Sequence, residues 1–205
     1  MNAVAKSEAS FIQLGQSIDG GFYAGTIIDR NDGHTYAIIV APKNEGELAT
    51  KAPWGEYGKL IENCRSFWHG LPNTEAMATA GSDIAKWARS LNINGFQDWY
   101  IPARDELELI HRNLKPTTEE NWEYSGDNPS SVPAGYPYEA QAPVQTSVLD
   151  FQDGSAQAMK REWYWSSTQS SADFAWYQYF DDGFQGNYVK DTQSRVRAVR
   201  RSLIK

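Results

Sequence analysis

The chain has 205 residues and a mass of 23.1 kDa; 40% of its residues are hydrophobic, 22% are charged, and the net charge is -7. That much apolar content fits one large domain or two small ones and excludes a disordered chain. The acidic balance argues against a nucleic-acid partner, which usually leaves a clustered basic face, and a lone cysteine, Cys64, excludes an intramolecular disulfide or a cysteine-rich zinc site.

In chain order, residues 1–19 are small and polar with a short apolar patch (Phe11, Ile12, Leu14). They read as an attachment segment, with the domain proper over 20–205. The opening stretch lacks the apolar core of a signal peptide, and no run approaches a membrane span. The expectation is a chain made in the cytoplasm without membrane insertion. Two strand-like runs follow, Phe22–Ile28 and Thr35–Val40, joined through Asp32-Gly33, a hairpin signal. The second run is almost wholly apolar and predicts a central, covered strand.

Glycines and prolines break residues 41–71, where Trp54, Tyr57, Phe67 and Trp68 are expected to pin the loop. From Asn73 to Leu91 the spacing is helical, with Met77, Ile84, Trp87, Ala88 and Leu91 on one face and Gly81 as an interruption. A second helix is predicted over Ala103–Leu114: Pro102 suits a helix start and Asp105 and Glu106 suit its positive end. Residues 115–147, carrying Pro116, Pro129, Pro133, Pro137 and Pro143, read as a long irregular insertion. The remainder is β: Tyr164–Thr168, Phe174–Phe180, Phe184–Lys190 and Val196–Arg200. Strands, then helices, then strands make an α+β domain with antiparallel sheet.

Trp163–Tyr188 organises the rest. It holds 10 of the 27 aromatic residues, interleaved with Ser, Asp, Gly, Gln and Asn instead of aliphatics. That mixture is the composition of a recognition surface, in which tyrosine supplies area and hydrogen bonds at low entropy cost. A period of two puts Phe174, Trp176, Gln178 and Phe180 on one face, expected with Trp163 and Trp165 to be frame and core. Tyr177 and Tyr179 fall on the other, expected to be exposed. The candidate ligand-binding set is Ser170, Ser171, Asp173, Phe174, Tyr177, Tyr179, Asp181, Asp182, Phe184, Asn187 and Tyr188. The competing reading is that the tyrosines only cover the sheet beneath the 115–147 insertion.

Two motifs resemble a known family. Gly95-Phe96-Gln97-Asp98-Trp99-Tyr100-Ile101-Pro102, followed by Asp105-Glu106-Leu107, is similar to the first signature of the domain that ends bacterial collagen-like adhesins and recurs in phage and prophage proteins. Trp165-Ser166-Ser167-Thr168, Ala175-Trp176, Phe180, Gly183 and Arg197-Ala198-Val199-Arg200 match its second signature, so the resemblance covers about 20–201. It implies a C-type-lectin-like fold, related to that of formylglycine-generating enzymes. A narrower resemblance is to the variable proteins of diversity-generating retroelements, whose lectin-like segment is rewritten by adenine-directed mutagenesis. Their variable asparagine-type codons cannot become Trp, Gln or Lys, so Trp163, Trp165, Trp176, Gln178, Gln185 and Lys190 would be scaffold. The cluster 170–174, Tyr177, Tyr179, Asp181, Asp182, Phe184 and 186–188 would be the rewritten surface.

Other chemistry is disfavoured by the residues. Calcium needs six or more oxygens, and Asp150, Asp153, Asp181 and Asp182 follow no regular ligand loop; they read as turn acids, so no metal or other cofactor is expected. The enzymatic relatives use a cysteine pair, which Cys64 cannot supply. His34, His69 and His111 have no metal spacing. Glu108 reads as a solvated helix face and Glu106 as structural. Arg195, Arg197, Arg200 and Arg201 read as a terminal strand facing acidic turns. The expectation is a non-enzymatic, homo-oligomeric module on a phage virion, binding a host-surface protein or glycan receptor and other virion proteins. The alternative is a structural virion protein, a capsid decoration or tail scaffold, whose aromatic stretch contacts neighbouring subunits.

Overall fold

A computed structural model describes residues 12–204. Its elements follow the order expected from the apolar runs. β1 (Ser17–Ile18), β2 (Gly21–Ile28) and β3 (Thr35–Val40) open the domain, followed by the single turn α1 (Lys43–Gly46) and the short β4 (Ala52–Pro53). Helices α2 (Gly70–Thr79), α3 (Asp83–Ser90) and α4 (Arg104–Leu114) come next. The insertion contributes β5 (Ser131–Val132). After a 3-10 turn at Leu149–Phe151 come β6 (Trp163–Gln169), β7 (Phe174–Tyr179), β8 (Gln185–Val189), β9 (Gln193–Ser194) and β10 (Val199–Leu203).

One sheet runs β1-β2-β3-β10, with β5 also on β2; a second runs β6-β7-β8; β4 and β9 form a small third pair. All of these pairings are antiparallel. β3 is central, as its composition requires: Ile38 and Val40 enter the core shared with Leu107, Ile110, Leu114 and Phe180. Ala37 and Ile39 face a second cluster with Trp99 and Ala198. A third holds Trp54, Cys64, Met77, Ile84, Ile101 and Trp165. Fully burying a large apolar side chain is worth about 1.5–3 kcal/mol, so these clusters carry the fold.

The sheet begins inside the expected attachment segment, since Ser17 and Ile18 pair with Phe22 and Gly21; residues 1–11 of that segment lie outside the described residues. The helical run over 73–91 splits where Gly81 takes φ +107. Of the loop aromatics, Trp54 is fully buried but Tyr57 is 56% exposed, because its neighbours Glu56, Gly58 and Lys59 turn outward with it.

The start of α4 is the structural hub. Glu106 accepts hydrogen bonds from the Ala103 N–H (2.7 Å), the Gly70 N–H (3.0 Å), the Tyr100 hydroxyl (2.9 Å) and Arg201 (2.7 Å). The first of these is the carboxylate half of a capping box. Gly70 is required there, because a Cβ would lie 2.4 Å from the Ile101 carbonyl. Arg201 also reaches Asp29 (2.8 Å). Burial opposes its charge, but Glu106, Tyr100 and Asp29 hold its pKa above the ordinary arginine value. Arg195 pairs with Glu162 and Arg200 with Asp98. Arg197 is buried against the Ala41 carbonyl (3.0 Å) and the Gln157 carbonyl (2.6 Å). The arginines therefore stitch the last strand to the frame, through α4 and loops and also through the turns at Asp19 and Asp29.

Glu108 corrects the reading from sequence. It is not solvated but fully buried, accepting from Tyr138 (2.8 Å), Asn128 (2.5 Å) and Arg112 (2.8 Å). Burial pushes its carboxyl up to about 7 despite these partners. His111, one turn later and also buried, meets the Tyr138 hydroxyl through Nδ1 at 3.1 Å, and burial pushes it down to about 3. This polar cluster ties the 115–147 insertion to α4.

Candidate functional site

The β6-β7-β8 sheet holds the candidate residues. β6 is anchored along its second half. Trp165 N–H donates to the Arg195 carbonyl (2.9 Å), Trp54 Nε1 to the Ser166 carbonyl (2.8 Å), Ser167 N–H to the Pro102 carbonyl (2.8 Å) and Gln169 N–H to the Cys64 carbonyl (2.7 Å). Arg104 N–H donates to Thr168 Oγ1 (3.0 Å). β7 pairs with β6 and β8 pairs with β7, so the hairpin lies outermost.

Register decides the faces. Trp163 lies opposite Tyr179 and Trp165 opposite Tyr177 across β6–β7, while Tyr177 faces Gly186 and Ala175 faces Tyr188 across β7–β8. Directly opposed residues share a face. Trp163, Trp165, Tyr177, Tyr179 and Tyr188 therefore stand together, and both tryptophans join the tyrosines instead of opposing them. The Trp163 ring stacks on Tyr177 (centroids 4.1 Å) and on Tyr179 (4.7 Å), and Tyr177 stacks on Tyr188 (5.8 Å). Gly186 makes room: a Cβ there would come within 2.7 Å of the Phe184 ring and 3.3 Å of the Tyr177 ring.

Covering of this face falls away from Trp165 and Ala175 in two directions, toward Tyr188 on β8 and toward the open Trp163–Tyr179 end. Trp165 and Ala175 are fully buried, with Trp165 Nε1 donating to the Ala52 carbonyl (3.1 Å). Trp163, Tyr177, Tyr179 and Phe184 are half-buried, and Tyr188 is 47% exposed. Burial raises the hydroxyl pKa of Tyr177 and of Tyr179, so both remain neutral donors at physiological pH. At the open end Trp122, from the insertion, meets Phe184 edge-on at 5.1 Å. Trp122, Trp163, Tyr179, Asp182 and Phe184 line a cavity of about 290 Å³.

The expected core face is only partly core. Gln178 and Phe180 are fully buried, but Trp176 is half-buried and Phe174 is 37% exposed. Trp176 packs on Phe67 (5.9 Å) and beneath Arg104 (5.3 Å), with Asn187 opposite it. Phe174 and Asn187 thus belong to the reverse face, away from Tyr177, Tyr179 and Tyr188. Trp163 is not frame but the ring on which the tyrosines stack.

The remaining candidates build turns. Ser171 Oγ accepts from the N–H groups of Asp173 and Phe174 (3.1 Å each), and the Ser170 N–H donates to the Phe174 carbonyl (2.9 Å). The Asp173 carbonyl takes the Lys190 N–H (3.0 Å). Asp181 pairs with Arg161 (2.7 Å), while Asp182 Oδ1 accepts the Phe184 N–H (2.9 Å). Trp122 and Trp163 are the accessible rings missing from the candidate set; large rings among Asn121, Glu123 and Ser125 carry the same mixed signal in the insertion.

Cys64 is buried, donates to the carbonyls of Asn73 (3.4 Å) and Ser167 (3.3 Å), and is pushed up to about 12 by burial, so its thiolate is disfavoured. Among the described residues no group of three His, Cys, Asp or Glu is placed to hold a metal, and no helix is long and apolar enough to cross a membrane.

Residues 50–200 match the family model of the Lcl C-terminal domain. The chain belongs to that family. Its fold is α+β and C-type-lectin-like, as the two sequence motifs imply. No curated protein matches. Among solved structures, a fimbrial protein from Bacteroides ovatus ATCC 8483 is similar at 12% identity and a TM-score of 0.43, over 83% of this chain and 36% of that one. The chain thus spans about a third of that protein, and no role is carried over from a likeness at that level.

Proposed function

We propose that this Lcl C-terminal domain is a non-enzymatic binding module that presents the Trp163–Tyr177–Tyr179–Tyr188 face to a receptor. The observation that carries the reading is that stacked and partly open face. Buried polar groups elsewhere are spent on the frame, whereas these rings contact mainly one another. Aromatic area with hydroxyls at its rim is what high-energy contact surfaces use. The motifs shared with phage and prophage proteins support a module carried on a virion and attached through the N-terminal segment. Several copies would multiply a weak single-site affinity by orders of magnitude. Similarity to retroelement variable proteins adds that Tyr177, Tyr179, Phe184 and Tyr188 are positions open to rewriting; a template repeat and a reverse transcriptase beside the gene are the expected companions.

The test is the double variant Tyr177→Ala with Tyr179→Ala. Host-cell or receptor binding is expected to vanish while thermal unfolding stays cooperative. Undiminished binding by the folded variant rejects the face. Imaging of the assembled particle separates the rival role, because a scaffold would bury this face against a neighbouring subunit.

A further inference from the structure

At its open end the aromatic face becomes a cavity with an unusual wall: four rings, Trp122, Trp163, Tyr179 and Phe184, and one acidic side chain, Asp182. Trp122 is 56% exposed, so the cavity is reachable from solvent. The acids beside it are treated unequally. Arg161 takes both Asp181 (2.7 Å) and Glu119 (2.9 Å), while Asp182 makes no ion pair among the described residues. The buried ammonium of Lys115 is occupied by the Glu119 carbonyl and by Asn121 Oδ1 (2.7 Å). The chain as a whole carries a net charge of -7.

Each class of small ligand meets this wall differently. An anion is repelled by Asp182 and finds no cationic group in the wall. A neutral apolar group would fill the space but strip water from a carboxylate and return nothing to it. A primary ammonium carries three N–H donors, and the only charged acceptor in the wall is Asp182. A quaternary ammonium has no donors to satisfy, presents apolar methyls to the rings, and is attracted by the carboxylate and by the aromatic surface it contacts. We infer that this cavity binds a quaternary ammonium group, a trimethylammonium headgroup in its simplest form. The inference deepens the reading of the aromatic face as a binding surface and rests on it.

Calorimetric titration of the whole chain with choline, and with its uncharged carbon isostere neopentylcarbinol, separates charge from shape. Choline is expected to bind about tenfold or more tightly than the isostere, the size of a partly desolvated cation–π and charge contribution. Asp182→Asn keeps an oxygen for the Phe184 N–H; it should weaken choline by about tenfold and leave the isostere bound no more weakly than before. Trp122→Ala should weaken both. Equal affinity for choline and the isostere, or no choline binding by the folded chain, overturns the inference. Loss of receptor binding in the Tyr177/Tyr179 double variant together with choline failure would sink only the cavity and leave the face standing. Titration with phosphocholine and with trimethyllysine amide then distinguishes a headgroup source from a modified protein side chain.

Discussion

The two main sheets use opposite economies. In β2–β3–β10 the central strand is covered on both sides, Ile38 and Val40 by the α4 core and Ala37 and Ile39 by the Trp99 cluster. Its polar needs are met by a few buried charges of fixed partnership, chiefly Glu106 with Arg201. In β6–β7–β8 the covering is graded along one face: Trp165 is sealed, Tyr177 is half-sealed and Tyr188 is open. A sheet sealed on both sides fixes the fold; a sheet sealed over only part of one face can be rigid and still accessible.

The sharpest way to break the first sheet is Glu106→Ala. It leaves Arg201 buried without its nearest carboxylate and strands the N–H groups of Gly70 and Ala103, so a loss of about 3–5 kcal/mol is expected in urea unfolding. Binding should fall only in proportion to the unfolded fraction.

The cluster beneath the second sheet gives a pH signature. Glu108 has a folded pKa near 7, above its ordinary 4.5, so the folded state holds an extra proton between these values and its contribution to stability falls as pH rises from 4.5 to 7. His111, folded near 3 and ordinarily 6.5, does the reverse: its contribution is present above 6.5 and is lost as pH falls toward 3. The two oppose each other between 4.5 and 6.5, flattening the profile. Melting curves across this range should therefore rise with pH for Glu108→Gln and fall with pH for His111→Phe, each by on the order of a few kcal/mol. A flat profile in both variants would remove the cluster from the account of stability.

Gly186→Ala probes the displayed face itself. The added methyl meets the Phe184 and Tyr177 rings, costing about 1–3 kcal/mol as the stack shifts. Receptor binding should drop by more than that stability loss explains. The smallest structural effect is expected for Tyr188→Ala, below about 1 kcal/mol at so exposed a site, with binding still measurably weakened.

Much of the frame was legible in the residues. The apolar run Thr35–Val40 marked the central strand, Pro102 and the acids after it marked α4, and Gly81 marked the helix break. What escaped depended on contacts distant in sequence. Glu108 looked solvated because its partners Asn128 and Tyr138 lie 20 and 30 residues onward in an insertion without periodicity. Alternation along β7 correctly separated Tyr177 and Tyr179 from Gln178 and Phe180, but it could not say which neighbours covered either side. The register is shifted between Trp165 and Gln169, and only pairing across β6–β7 places Trp163 and Trp165 with the tyrosines. Phe174 and Asn187 were drawn into one set by composition, and strand parity sends them to the reverse face.

The anchoring of β6 has a mechanical consequence. A ligand under drag would pull first on the outer β7–β8 hairpin, and the β6–β7 ladder would pass that tension to β6. There it divides among contacts to Trp54 and Cys64 in the loop before α2, Pro102 and Arg104 at the start of α4, and Arg195 before β10. No single hydrogen bond bears the load, and the strand beneath the displayed rings is moored at several points.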